Sequence, residues 1–186
     1  DVRALLDQLA VLDRPSLEEM GMAAARQMIA GMRDLVDAPV GALAVMRDVA
    51  IPGPDGTPLP ARLYDARAER RPGPLLVYLH GGGWVMGDIP FYDPLCAAIA
   101  RGLDLPVLSV GYRLAPEHPW PAAPDDCEAA ARWAASGPDA LGRTPTGIAL
   151  AGDSAGGNLA IVTALALRDA PAAVPLLALW PIYPAA

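Results

Sequence analysis

A short apolar stretch, Thr146-Gly147-Ile148-Ala149-Leu150-Ala151, runs into Gly152-Asp153-Ser154-Ala155-Gly156-Gly157. The chain then continues through Asn158 to Leu167, a segment of helical composition. The step from strand to helix is made with a serine at its centre and glycines around it. Glycine is needed there because strand and helix approach so closely that a Cβ would collide. Such a turn holds its central residue in a strained backbone conformation and lifts the Ser154 hydroxyl to the top of a sheet. The helix N-terminus behind it offers unpaired N–H groups and the positive end of a dipole. An oxyanion forming beside Ser154 is stabilised there, first by the N–H of Ala155. The pattern G-x-S-x-G is short, and the chain has 18 glycines in 186 residues. A plain glycine turn is therefore the alternative, and the surrounding chain decides between the two.

A second feature points the same way. Leu75-Leu76-Val77-Tyr78-Leu79 is a continuous apolar strand of the kind buried inside parallel sheets. It ends in His80-Gly81-Gly82-Gly83-Trp84. Three successive glycines leave their backbone N–H groups unshielded, so a ligand oxygen can come close. At the end of a central strand this forms a second arm of an oxyanion hole. The alternatives are a flexible glycine turn or a phosphate loop. The spacing matches neither G-x-x-x-x-G-K-[ST] nor a dinucleotide-type G-x-G-x-x-G with its acidic partner.

The remaining chain supplies the alternation that such a sheet needs. Asp1 to Leu12 is expected to be a short helix with Val2, Leu5, Leu6, Leu9 and Leu12 on one side. A second helix is expected from Ser16, with Ser16 as N-cap and Glu19 completing a capping box. Leu17, Met20, Ala24, Met28 and Leu35 fall on one face of it, with Met32 nearby; core packing is expected of that stripe, and the lining of an apolar cleft is the alternative. Val45 to Pro52 and Leu59 to Tyr64 read as an antiparallel hairpin around Gly53-Pro54-Asp55-Gly56. Asp93-Pro94 is expected to cap and open a helix to about Leu103. Pro106 to Val110 is the next buried strand, and Tyr112 to Pro121 is a rigid, proline-rich loop. Pro124-Asp125-Asp126 opens a helix ending near Ser136-Gly137, with acids at its positive end. Val174 to Trp180 is a last strand, apolar on both faces. Hairpin, then strand, helix, strand, helix, strand, helix, strand describes an α/β protein, with a mostly parallel sheet and helices on both faces.

Composition narrows the function classes. The net charge is -7, all 14 basic residues are Arg, and no basic stripe is present, which argues against nucleic acid as a partner. No uninterrupted apolar run reaches the ~18 residues of a membrane span. Cys96 and Cys127 follow no metal or disulfide spacing and read as small core residues. No signal-peptide pattern is visible, which points to a cytoplasmic location, while a start at Asp1 without Met leaves room for residues upstream.

Three segments together, His80-Gly81-Gly82-Gly83-Trp84, Tyr112-Arg113-Leu114-Ala115-Pro116-Glu117-His118-Pro119-Trp120-Pro121 and Gly152-Asp153-Ser154-Ala155-Gly156-Gly157, resemble the hormone-sensitive-lipase-like esterases. These are the bacterial family IV carboxylesterases of the α/β-hydrolase fold. The resemblance implies a carboxylesterase or lipase-like serine hydrolase acting on short-to-medium acyl esters through an acyl-enzyme on Ser154. The N–H groups of Gly82, Gly83 and Ala155 would form the oxyanion hole. His80 and His118 would be structural, and Arg113 and Glu117 would be available for ion pairs. Residues 1–43 would form an N-terminal helical cap segment over the acyl pocket, and residues 44–186 an α/β-hydrolase core. No metal or organic cofactor is implied. The same fold also resembles a non-catalytic ligand-binding branch, which keeps the elbow and loses the base; that is the alternative function, together with an inactive fragment.

One part of the family's pattern is not found. In this fold the order is serine, then acid, then histidine. Residues 155–186 contain Asp169 and no His. The strand Leu176 to Trp180 would be an open edge without charge, which proteins normally protect. Both observations lead to the expectation that the chain is the N-terminal part of a longer enzyme. The acid and base, the last strands, and any homodimer contact would then lie in the part that follows.

Overall fold

The computed structural model describes Arg3, residues 17–36 and residues 38–185. Apart from Arg3, the first expected helix, Asp1 to Leu12, and the Ser16 cap lie outside those residues. Two helical pieces come first, α1 (Leu17–Met20) and α2 (Met22–Val36). The single helix expected here is interrupted at Gly21, which takes a φ of +73°. Six strands follow, β1 (Val45–Pro52), β2 (Pro58–Asp65), β3 (Gly73–Leu79), β4 (Val107–Val110), β5 (Pro145–Asp153) and β6 (Leu176–Ile182). They are joined by α3 (Ile89–Leu103), α4 (Ala122–Ser136) and α5 (Ala155–Asp169).

The strands form one sheet in the order β1-β2-β4-β3-β5-β6. The hairpin β1–β2 is antiparallel, as its turn chemistry predicts, and β2 meets β4 antiparallel. The pairs β3–β4, β3–β5 and β5–β6 are parallel. The apolar run of β3 is buried from Leu75 to Leu79, and its side chains alternate between two cores. Leu75, Val77 and Leu79 pack with Leu108, Leu150 and the alanine-rich face of α4, with Leu159 and Ala160 of α5. Leu76 and Tyr78 pack on the other face with Cys96, Ala97 and Ala100 of α3. Each buried Leu is worth about 1.5–3 kcal/mol, so this central pair of layers fixes the strand order. Cys96 and Cys127 are buried, one in each core, as expected of small core residues. Burial pushes the Cys96 thiol up to about 12.

One helix start differs from expectation. α3 begins at Ile89, not after Asp93, and its cap is Asp88, whose carboxylate accepts from the Phe91 N–H at 2.8 Å. Pro94 lies inside the helix. Asp93 is free for another task because Asp88 does the capping. It is buried, accepts from the Tyr64 hydroxyl at 2.6 Å and takes both of its oxygens to Arg62.

The methionine stripe also departs from expectation. Met28 and Met32 are 37% and 40% exposed, and Ala24 is exposed as well. Among the described side chains of α2 only Ala25 is fully buried. The apolar periodicity is real, but Met28 and Met32 face an open surface among the described residues, while the Leu17 and Leu35 side chains of the stripe lie outside what is described.

Candidate active site

The site follows from the register of the sheet. β3 and β5 are neighbours, with Leu79 opposite Gly152. The loop that leaves β3 at His80 and the turn that leaves β5 at Asp153 therefore emerge side by side, at the carboxyl edge of the sheet. In open α/β sheets that edge is where ligands bind.

Ser154 stands on the turn with φ 51° and ψ -116°. A non-glycine residue rarely takes a positive φ, and the cost is about 1–3 kcal/mol unless the surroundings enforce it. They do so here. The Ser154 N–H donates to the Ile182 carbonyl at 2.9 Å, and its own carbonyl accepts from Asn158 and Ala185. The glycines on either side admit no substituent. A Cβ at Gly152 would lie 2.4 Å from the Leu79 oxygen, and one at Gly156 only 2.0 Å from it. The close approach of strand and helix anticipated from sequence is present, since a Cβ at Gly152 would also lie 2.4 Å from the Gly156 oxygen, and the elbow presses on β3 as well.

The glycine loop is bent by two left-handed residues, Gly82 at φ 122° and Gly83 at φ 62°, with Trp84 at φ 61° after them. The Gly82 carbonyl accepts from Val85 and Met86, closing the turn. The N–H groups of Gly82, Gly83 and Ala155 donate to no acceptor among the described residues. These are the three donors named from the sequence.

His80 is not placed as a base. It is buried, its ring stacks on Tyr112 at 4.3 Å, and Nδ1 donates to the Gly81 carbonyl at 2.8 Å. Burial lowers its pKa, so the ring is neutral at pH 7. The loop is further held by the Tyr112 hydroxyl, which donates to the His80 carbonyl at 2.6 Å.

Two ion-pair partners expected in the Tyr112 to Pro121 loop are in use. The Arg113 guanidinium grips the buried carboxylate of Asp126 with three of its four side-chain contacts and Asp55 with the other, and the Arg113 backbone N–H also donates to Asp126. Glu117 takes both of its oxygens to Arg26 of α2. His118 is exposed and lines a cleft of about 600 Å³ together with Gly83, Trp84, Asn158, Leu159 and Thr163. Of the four residues named as site residues, Gly83 lines this cleft; half-buried Ser154 lies one helical turn before Asn158. Asp169 ends α5 in a surface pair with Arg168.

Two functional-looking groups were not anticipated. Asp153, inside the elbow, is 8% exposed and accepts from the Tyr78 and Tyr92 hydroxyls and the Gly81 N–H at 2.8–3.0 Å. A buried acid beside the serine was visible in the motif, but its tyrosine partners come from β3 and α3 and carry no pattern of their own. Arg26 bridges α2 to the Val85 and Ala115 carbonyls at 2.7 and 2.8 Å. A lone arginine on a helix gives no such signal.

Residues 76–186 match the family described as alpha/beta hydrolase fold. The chain belongs to that family. Among the relatives it is similar to, hormone-sensitive lipase of Mus musculus is 42% identical over 113 residues, covering 56% of this chain and 15% of that protein. The chain is 44% identical over 167 residues to Esterase LipI of Mycobacterium tuberculosis, covering 87% of this chain and 51% of that protein. It is 49% identical over 118 residues to Carboxylesterase NlhH of the same species, covering 63% and 37%. A hyperthermophilic esterase from the archaeon Pyrobaculum calidifontis superimposes with a TM-score of 0.86 at 38% identity, over 99% of this chain and 58% of that one. The α/β-hydrolase chain thus spans about half the length of the relatives it matches, or less. Among the described residues no helix is long and apolar enough to cross a membrane.

Proposed function

We propose that the protein carrying this chain is a serine ester hydrolase. Ser154 Oγ attacks the ester carbonyl carbon, and its proton passes to a base outside residues 1–186. The carbonyl oxygen becomes an oxyanion and accepts from the N–H groups of Gly82, Gly83 and Ala155. Collapse breaks the bond to the alcohol, which takes the proton back from that base. Water then attacks the acyl-Ser154 ester by the same route and releases the acid. Each oxyanion donor is worth roughly 3 kcal/mol of transition-state stabilisation. They are backbone groups fixed before the reaction begins, so no reorganisation is needed when the charge appears.

The observation that carries this reading is a serine at φ 51° beside the glycine loop, with the N–H groups of Gly82, Gly83 and Ala155 donating to no acceptor among the described residues. The named relatives, esterases and a carboxylesterase, support it. The cleft of about 600 Å³ suits an acyl chain of short to medium length. Residues 1–43 serve as cap and residues 44–186 as core, and small-molecule esters are the substrates. The test uses the longest natural polypeptide containing residues 1–186 and p-nitrophenyl butyrate. Ser154→Ala lowers turnover by about 10⁴-fold or more, and an unchanged rate overturns the assignment.

A further inference from the structure

Asp153 is a buried carboxylate that the reaction above does not use, and its partners are unusual. No cation pairs with it among the described residues. Its Oδ1 accepts from the Tyr78 hydroxyl at 2.8 Å and the Gly81 N–H at 3.0 Å. Its Oδ2 accepts from the Tyr92 hydroxyl at 2.9 Å, and that hydroxyl in turn accepts from the same Gly81 N–H at 3.0 Å. Burial and the Asp153 charge push both phenols well above the usual tyrosine range, so both remain donors throughout the working pH range. The charge also sits just before the first residue of α5, where the helix dipole favours an anion.

The consequence lies in the next two peptides. Gly81 is the first of three glycines, and glycine loses the most conformational freedom on being ordered. The Gly82 carbonyl closes the turn through Val85 and Met86, but that turn is internal to the loop and does not attach it to the elbow. The attachment runs from Gly81 to Asp153, the residue that precedes Ser154. A Cβ on Gly81 would lie 2.3 Å from Asp153 Oδ2, so loop and carboxylate are in direct contact.

We propose that Asp153 is a positioning residue that locks the glycine loop to the nucleophile turn, keeping the Gly82 and Gly83 N–H groups in register with the N–H of Ala155. The role rests on the ester-hydrolase reading for its kinetic consequence and on geometry alone for the anchoring. Asn at 153 keeps the size but has one acceptor oxygen and an NH₂ group, so it cannot serve three donors. Leaving a buried hydroxyl without an acceptor, or turning an NH₂ group toward it, loosens the Gly81 tie.

The experiment compares wild type with Asp153→Asn and Tyr92→Phe in the longest natural polypeptide containing residues 1–186. Amide exchange is read at Val85 and Met86, which do not bond Asp153, with the β1–β2 hairpin as the control for global unfolding. Exchange at Val85 and Met86 is expected to quicken about tenfold while the hairpin is unchanged. For p-nitrophenyl butyrate kcat is expected to fall about 10²-fold in Asp153→Asn, with KM held within a few-fold, as for a misplaced oxyanion hole. Tyr92→Phe follows in the same direction by a smaller factor. Unchanged exchange at Val85 and Met86 overturns the anchoring whatever the rates do. Faster exchange with unchanged kcat overturns the kinetic role. If wild type hydrolyses no ester while exchange still quickens, the anchoring stands and the ester-hydrolase reading is the one that falls.

Discussion

Helices α2 and α5 are each fifteen residues long, and they are attached to the sheet in opposite ways. α5 buries Ala155, Gly156, Gly157, Leu159, Ala160, Thr163 and Leu167. Its first turn touches the backbone of β3, with no side chain between. Among the described side chains of α2 only Ala25 is fully buried, and the helix is tied down by the guanidinium of Arg26. One helix is docked by shape over its whole length. Among the described side chains of the other, the ties are one buried alanine, Ala25, and the hydrogen bonds of Arg26. Shape-docked contact leaves no room for substitution, whereas a hydrogen-bonded tie fails only as far as its donor fails.

The largest effect is therefore expected at Gly156. Alanine there improves intrinsic helix propensity by about 1 kcal/mol. Its Cβ, however, falls 2.0 Å from the Leu79 oxygen and 2.5 Å from the His80 oxygen, both backbone atoms that cannot rotate away. Overpacking costs about 1–3 kcal/mol, and more where the neighbour cannot yield, so a clash with fixed backbone outweighs the propensity. Gly156→Ala is expected to lower the midpoint of chemical denaturation markedly and to remove activity with it. A neutral result would mean that α5 can slide along β3, and the shape-docking argument would be wrong.

The same contrast explains what could be read from the sequence. The elbow was legible because its chemistry is local: a close approach demands glycine, a strained turn demands a short segment, and both leave their mark within six residues. The strands were legible because β3 and β4 are buried on both faces and so read as unbroken apolar runs. The face of α2 was not legible in the same way. Its period identifies Met28 and Met32 as one side of a helix, but periodicity says nothing about what that side meets. Asp93 was misread for a related reason. Asp-Pro is a good helix start in isolation, yet Asp88, five residues earlier, captures the cap, and the Asp93 carboxylate is drawn to Arg62 and Tyr64. Asp153 stood in plain view inside the motif, while the two tyrosines that give it meaning arrive from other elements, one in β3 and one in α3.

A smaller effect is expected at Arg26. Arg26→Ala removes two bonds to backbone carbonyls and a two-pronged contact with Glu117. Both partners are partly exposed, at 30% and 53%, so solvent screens the charge pair and most of the loss comes from the carbonyl bonds, about 1–3 kcal/mol in total. The expected outcome is faster proteolysis within residues 22–36, with the denaturation midpoint of the sheet unchanged. If the whole domain melts earlier by the same amount, α2 is part of the cooperative core and the two helices differ less than their contacts suggest.

Acid sharpens the comparison with the least perturbation. The hydrogen bond from Arg26 holds the Glu117 carboxyl below its ordinary value of 4.5. A carboxyl whose folded pKa is depressed binds its proton more readily in the undocked state, so it favours docking above the ordinary value. That contribution fades as pH falls through the lower, docked value. α2 is therefore expected to become more accessible to exchange below about pH 4.5, while α5, whose docking uses no ion pair, stays protected. Glu117→Gln should flatten the pH dependence of α2 and leave that of α5 as it was. A pH response of equal size in both helices would instead place the titrating group in the shared core and remove Glu117 from the account. The elbow argues for the first outcome, because the first turn of α5 meets β3 through glycines and backbone oxygens and its later turns through apolar side chains such as Leu159 and Ala160, and no residue of α5 in these contacts titrates.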